Sequence, residues 1–191
     1  MKVIAFNGSA RKNGNTTLLI RRVFIELEKE GISTELIELS GELIHPCRAC
    51  SMCGKNKNGK CVNTDDGINK YIGMMREADG IILGSPVYFS DVTSTMKAFI
   101  DRTGYVSRSN GGLYTRKIGA AVTAVRRAGA THAFSSLNFF FFINEMIVPG
   151  SSYWNLGIGR AIGEVEKDEE GMKTMENLGL NMAWLLKKIH V

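Results

Sequence analysis

Residues 2–19 read KVIAFNGSARKNGNTTLL, and the fold turns on them. Residues 2–6 are a short apolar run closed by Asn7-Gly8-Ser9, which reads as a strand and a tight turn. A polar, glycine-containing stretch occupies residues 10–17. Beyond it Leu18, Leu19, Val23, Ile25 and Leu27 recur at helical spacing up to Gly31, a plausible stop.

The same alternation continues outward. Residues 33–39 alternate polar and apolar as a second strand, and residues 41–66 read as a loop. Ile68, Tyr71, Ile72 and Met75 make a helical stripe, and residues 78–84 a buried strand. Met96, Phe99, Ile100 and Thr103 continue as a helix, and residues 117–125 as a fourth strand. A helix over 133–144, a fifth strand over 145–148 and an amphipathic helix over 167–190 complete the chain. Unbroken apolar strands alternating with helices imply a parallel sheet covered on both faces. Right-handed crossovers then give a doubly wound five-stranded α/β fold, with one inserted loop after the second strand.

Composition fits this reading. The 191 residues are 44% hydrophobic and 23% charged, which excludes a mainly disordered chain. No apolar run approaches the roughly 18 residues of a membrane span. The start of the chain carries too short an apolar run for a signal peptide, so a cytoplasmic protein is expected. The net charge is +5, but its basic residues are dispersed as short pairs such as Arg21-Arg22 and Lys187-Lys188. Nucleic acid is not expected as a partner; a mildly basic surface, or one suited to anionic small molecules, is.

In a doubly wound sheet, ligands bind beyond the carboxyl ends of the strands. Three segments lie there. Residues 8–17 join the first strand to a helix N-terminus, where free N–H groups, hydroxyls and Arg11 make a phosphate cradle. The stretch lacks the Gly-Lys-Ser/Thr of a P-loop and is not Gly-x-Gly-x-x-Gly. A polar loop with a cap at Asn15 or Thr16 is the plain alternative. Residues 84–91 carry Pro86, which stiffens the loop, and Tyr88 and Phe89, suited to stacking on a planar ligand or to packing on neighbouring helices. Residues 123–129 are placed to touch the far edge of the same ligand.

With Gly8-Ser9-x-Arg11-x-Asn13-Gly14-Asn15-Thr16 and Gly84-Ser85-Pro86-Val87-Tyr88-Phe89, the chain resembles the NAD(P)H-dependent FMN reductase and iron–sulfur flavoprotein family over nearly its whole length. Trp154-Asn155 and residues 168–171 add to the likeness. Ala10 stands where proline is common, and Arg126-Arg127 where smaller residues are expected. The resemblance implies a single flavodoxin-like domain over residues 1–191. It implies FMN with its phosphate on Ser9, Arg11, Asn13, Asn15, Thr16 and Thr17. The isoalloxazine would be lined by Pro86, Val87, Tyr88, Phe89 and Ser90, with Thr123, Ala124, Val125 and Arg126 on the pyrimidine side.

All four cysteines fall in one window: Cys47-x2-Cys50-x2-Cys53-x7-Cys61. Three thiols at x2 spacing and a fourth beyond a turn at Gly59 suit a [4Fe–4S] cluster. Zinc more often takes two separated C-x2-C pairs. A redox C-x-x-C pair, or four reduced thiols holding nothing, are the remaining readings. His45 and His132 read as surface or packing residues. Residues 139–142, four consecutive phenylalanines, cannot share one helix face, so some are core and the rest serve an interface or a lid.

The expectation is an FMN-binding oxidoreductase. It takes electrons from NAD(P)H or a reduced donor and passes them to a quinone, a flavin or another small acceptor, with or without a cluster as relay. No protein acid or base is assigned as catalytic. The resemblance implies a homodimer or homotetramer. Two other classes stay open: a non-enzymatic electron carrier paired with a ferredoxin-like protein, and a zinc-stabilised binding module.

Overall fold

The computed structural model describes residues 1–189. Five parallel strands stand in the order β2-β1-β3-β4-β5. They are β1 (Lys2–Asn7), β2 (Ser33–Glu38), β3 (Gly80–Pro86), β4 (Ile118–Val125) and β5 (Leu156–Ile158). Helices α1 (Asn15–Lys29), α2 (Met52–Asn56), α3 (Ile68–Glu77), α4 (Ser94–Ser109), α5 (Ala130–Ile143) and α6 (Glu169–Ile189) connect or flank them.

The two-residue period of the strands divides the core. Val3 and Ala5 of β1, with Ile82 of β3 and Ala120 and Val122 of β4, pack against α1 and α6. Ile4, Phe6, Ile81, Leu83 and Ala121 point the other way, onto α3, α4 and α5. Consecutive strand residues therefore serve opposite cores, which is why these strands read as unbroken apolar runs. Phe6 lies 4.7 Å from Phe99 and 5.6 Å from Tyr71, ring centre to ring centre. On α5, Phe140 and Phe141 are buried while Phe139 and Phe142 are exposed.

Three elements depart from the sequence expectation. The fifth strand is not 145–148: that segment makes one bridge, Ile147 to Ile118, beside the start of β4. Pro149 has no N–H to continue a ladder. The chain leaves the sheet there and returns as β5, where Leu156, Gly157 and Ile158 pair with Thr123, Ala124 and Val125. The loop 41–66 contains the short helix α2, entered through left-handed backbone at Ser51 and left through Lys57. Glu164–Lys167 form a 3-10 turn, so α6 begins at Glu169; its expected end, His190, lies outside the described residues.

The loop 41–66 is bolted to α4. Asn110 donates to the Cys53 carbonyl at 3.2 Å and accepts from Gly59 N–H at 2.9 Å. Asn69 of α3 clamps the Cys61 backbone through both its amide groups, at 2.8 and 2.9 Å. Arg102 and Asp66, both fully buried, form an ion pair at the base of the loop.

Candidate functional site

The loops after β1, β3 and β4 converge on one cleft, lined among others by Ser9, Arg11, Asn15, Thr16, Pro86, Val87, Tyr88, Ala124 and Arg126. Its first wall is built from β1. Asn7, fully buried at the strand end, accepts from Ser9 N–H at 2.9 Å and donates to the Thr17 hydroxyl at 3.0 Å. Ser9 Oγ accepts from Arg11 N–H at 3.1 Å, closing the turn. The helix then starts at Asn15, so Asn15, Thr16 and Thr17 are its first turn rather than loop.

That helix end is open. Gly14 caps it without a side-chain hydrogen bond, and the first turn holds no acidic residue. The leading N–H groups and the positive dipole end therefore face the cleft uncompensated. Thr16 Oγ1 is buried and has no hydrogen-bond partner. A buried hydroxyl left without a partner costs about 1–3 kcal/mol, and an anion seated at this helix end would satisfy it. The residues present therefore fit a phosphate group.

The other expected phosphate residues divide. Thr17 Oγ1 donates to Glu38 at 2.6 Å and lies inside the fold. Asn13 takes left-handed backbone and donates its N–H to the same carboxylate at 3.3 Å. Asn15 is spent on a loop that sequence reasoning missed: it donates to Ala161 O at 2.9 Å and accepts from Gly163 N–H at 2.9 Å. Arg11 donates to Arg160 O at 3.2 Å. These contacts bring Gly159, Arg160 and Ile162 into the cleft wall. Gly159 admits no side chain, since a Cβ there would lie 2.6 Å from Val165 N and 2.8 Å from Asn15 Nδ2. No local sequence signal marks this loop.

Opposite stands the β3 loop. Tyr88 and Asp91 exchange backbone hydrogen bonds at 2.8 and 3.0 Å. The two tip residues, Phe89 and Ser90, are held in left-handed backbone at φ 47° and 64°. For non-glycine residues this conformation costs about 1–3 kcal/mol each. The tip rests on Gly129, whose own φ is 89° and where a Cβ would meet Ser90 Cα at 2.8 Å. Pro86, Val87 and Tyr88 line the cleft; the Phe89 ring points fully into solvent and, like Ser90, lies outside the lining.

From β4, Ala124 and Arg126 reach the cleft, while Thr123 and Val125 are buried in the sheet. Thr123 Oγ1 bonds Asn155 O at 3.3 Å. Arg126 and Arg160 also border an adjoining shelf with Lys167. Its two acids are engaged by backbone, Glu164 by Arg160 and Ala161 N–H and Asp168 by Ile158 and Gly171 N–H. The two carboxylates keep their charge, so three cations against two acids leave the shelf slightly positive. His132 is exposed and faces Asp91 at 3.7 Å.

The cysteines meet elsewhere. Cys47, Cys50, Cys53 and Cys61 all line one cavity, together with Arg102, Tyr105 and Val106. All four are free thiols; Cys47 and Cys50 are exposed and Cys53 is buried. Among the described residues, no three Cys, His, Asp or Glu side chains converge closely enough to hold one metal ion.

The family description NADPH-dependent FMN reductase matches residues 1–161. The chain belongs to this family. Within the family it is 40% identical to an iron–sulfur flavoprotein of Methanocaldococcus jannaschii, covering 99% of both chains. It is 31% identical to an iron–sulfur flavoprotein of Methanosarcina thermophila, covering 99% of this chain and 97% of the other. Among solved structures, RosB with bound 8-demethyl-8-formylriboflavin-5'-phosphate superposes with a TM-score of 0.78 at 20% identity, over all of this chain and 80% of that one. An archaeal flavodoxin superposes at 0.64 and 18%, over 98% and 99%. These two likenesses establish the flavodoxin-like fold. No helix among the described residues is long and apolar enough to cross a membrane.

Proposed function

We propose that this chain is an FMN-dependent oxidoreductase that takes electrons from NAD(P)H or a reduced donor and delivers them to a small acceptor. The orphaned Thr16 hydroxyl, buried at the uncapped end of α1, carries the reading. Thr16, Ser9 and the first N–H groups of α1 hold the phosphate, and Arg11 neutralises it. Asn15 keeps the Gly159–Gly163 loop against the cradle. Pro86, Val87 and Tyr88 hold the ring face, kept in place by the strained tip and by Gly129, with Ala124 and Arg126 at its edge. When bound, FMN supplies hydride and single-electron chemistry, so no protein acid or base is required as a catalytic group. Arg126, with Arg160 and Lys167 beside it, suits the phosphates of a nicotinamide dinucleotide. The protein functions in the cytoplasm as a homodimer or homotetramer, with the exposed Phe139 and Phe142 covered by a neighbouring subunit.

The donor set of the second cavity fits a [4Fe–4S] cluster on Cys47, Cys50, Cys53 and Cys61, which when bound supplies one-electron transfer. Three cysteines at x2 spacing and a fourth beyond a turn, all on one cavity, suit a cluster better than they suit zinc, which usually takes two separated C-x2-C pairs. Anaerobic reconstitution tests both halves. About four iron and four sulfide per chain are expected beside one FMN. Cys50→Ser is expected to lose iron and sulfide and retain FMN, because the FMN cleft is built from other strand ends. Retention of neither iron nor sulfide by the parent, or of one zinc, would refute the cluster.

A specific observation favours the electron-carrier reading as second choice. No acidic residue lies between positions 43 and 64, whereas Arg48, Lys55, Lys57 and Lys60 do, all exposed on the loop that carries the cysteines, with Arg48 on the cavity wall. Such a collar suits an acidic protein donor of the ferredoxin type. Rapid NADPH oxidation with a quinone or ferricyanide supports the oxidoreductase. Reduction by a ferredoxin-like protein, with no NADPH turnover, supports the carrier.

A further inference from the structure

The cysteine cavity has one wall that is neither apolar nor neutral. Arg102 sits on α4 between Phe99 and Val106, on the buried stripe of that helix. Its side chain is only 1% exposed, and it lines the cavity with the four thiols. Leaving a guanidinium unpaired there would cost several kcal/mol. The structure supplies partners on both sides. Nη1 donates to Asp66 and, at 3.2 Å, to the His45 carbonyl. Nη2 donates to the Asn63 carbonyl at 3.0 Å and to Cys61 Sγ at 3.3 Å.

The contact to sulfur is set apart by its geometry. Asp66 already balances the charge of Arg102, and its own oxygens are shared with His45 and Ile68 N–H. A purely structural ion pair would be complete without Cys61. Yet the fork leaves one N–H directed at Cys61, whose backbone N–H and carbonyl are both held by Asn69. Cys47 and Cys50, on the exposed side, receive no such donor among the described residues. The four thiols are therefore inequivalent: Cys61 is fixed and hydrogen-bonded, and the outer pair is not.

We propose that Arg102 is a positioning residue for the iron–sulfur cluster, holding Cys61 Sγ through its Nη2–H and raising the cluster's reduction potential. This role rests on the cluster reading given above. A donor to a ligating sulfur withdraws charge from it and favours the reduced, more negative form. The fixed position of Arg102 makes the effect constant rather than solvent-dependent.

Arg102→Lys separates hydrogen bonding from charge. Lysine keeps the cation and its pairing with Asp66, but it lacks the planar fork that reaches both Asp66 and Cys61. In reconstituted protein titrated with dithionite and followed by electron paramagnetic resonance, the variant is expected to hold parent levels of iron, sulfide and FMN. Its one-electron reduction constant should fall up to about tenfold, a shift of about 59 mV toward negative potential. The FMN potential should not move. The double variant Arg102→Gln with Asp66→Asn guards against misfolding, since it replaces the ion pair by a neutral amide pair and leaves no charge unpaired, while its shorter amide no longer reaches Cys61. It should show a shift in the same direction as Arg102→Lys. Equal cluster potentials in parent and Arg102→Lys would overturn this role alone. A parent that takes up neither iron nor sulfide would overturn the cluster reading and this role together.

Discussion

Asp66→Asn is expected to lower the folding free energy by about 3–5 kcal/mol, the range for removing one partner of a buried ion pair. The pair is enclosed on both sides, so water cannot solvate the charge left on Arg102. For a chain of this size the loss corresponds to a melting point roughly 6–20 °C lower. Calorimetry with FMN saturating both proteins measures it. Burial alone would raise the Asp66 carboxyl. Hydrogen bonds from Arg102 and from His45 and Ile68 N–H, with the Arg102 charge, outweigh that and hold it below the usual carboxylate range. The sign of the pH dependence follows. In the window between the depressed folded value and the unfolded value near about 3.9, the unfolded chain binds more protons, so stability rises with pH. The contribution is complete above the unfolded value and is lost as pH falls through the folded one. Urea melts from neutral pH downward should show the parent losing stability below about pH 4 more steeply than Asp66→Asn. Parallel curves, or a variant within about 0.5 kcal/mol of the parent, would show the pair to be energetically idle.

Much of this architecture is legible from residue patterns, and the failures have physical causes. Strands β1, β3 and β4 are buried on both faces, so their apolar runs are unambiguous. Strand β5 is three residues long with glycine at its centre, and no periodicity can mark it. The apolar Met146-Ile147-Val148 reads more strongly as a strand, but Pro149 ends its pairing after one bridge. The cleft shows the same division. Its β1, β3 and β4 walls follow from the rule that ligands sit at strand ends. Gly159, Arg160 and Ile162 reach it only through contacts spanning almost 150 residues. The sequence does not single out Arg102: it stands at helical spacing between Phe99 and Val106, but an arginine there ordinarily reaches solvent. The spacing alone does not say that Asp66 pairs with it, nor that a cysteine shares the guanidinium.

Removing the Thr16 hydroxyl is expected to act oppositely on the empty protein and on its ligand complex. In Thr16→Val the shape is kept and the unpartnered buried oxygen disappears. The FMN-free protein should therefore be as stable as the parent or slightly more so, since an unsatisfied buried oxygen is a cost of about 1–3 kcal/mol. The complex should be weaker, because a hydrogen bond to a charged phosphate contributes roughly 1.5–3 kcal/mol. That is a rise in the FMN dissociation constant of roughly 10- to 100-fold. Arg11→Ala should weaken FMN by a similar factor through the lost charge, and its effect should shrink as salt is raised, because Arg11 is exposed. The Thr16→Val effect should be nearly salt-independent, because that contact is buried. Riboflavin, which lacks the phosphate, should bind parent and both variants alike. Flavin fluorescence titration measures all of these constants. Unchanged FMN affinity in both variants would show that the uncapped end of α1 is not the phosphate site. A matching loss for riboflavin would show that the loop acts on the ring instead.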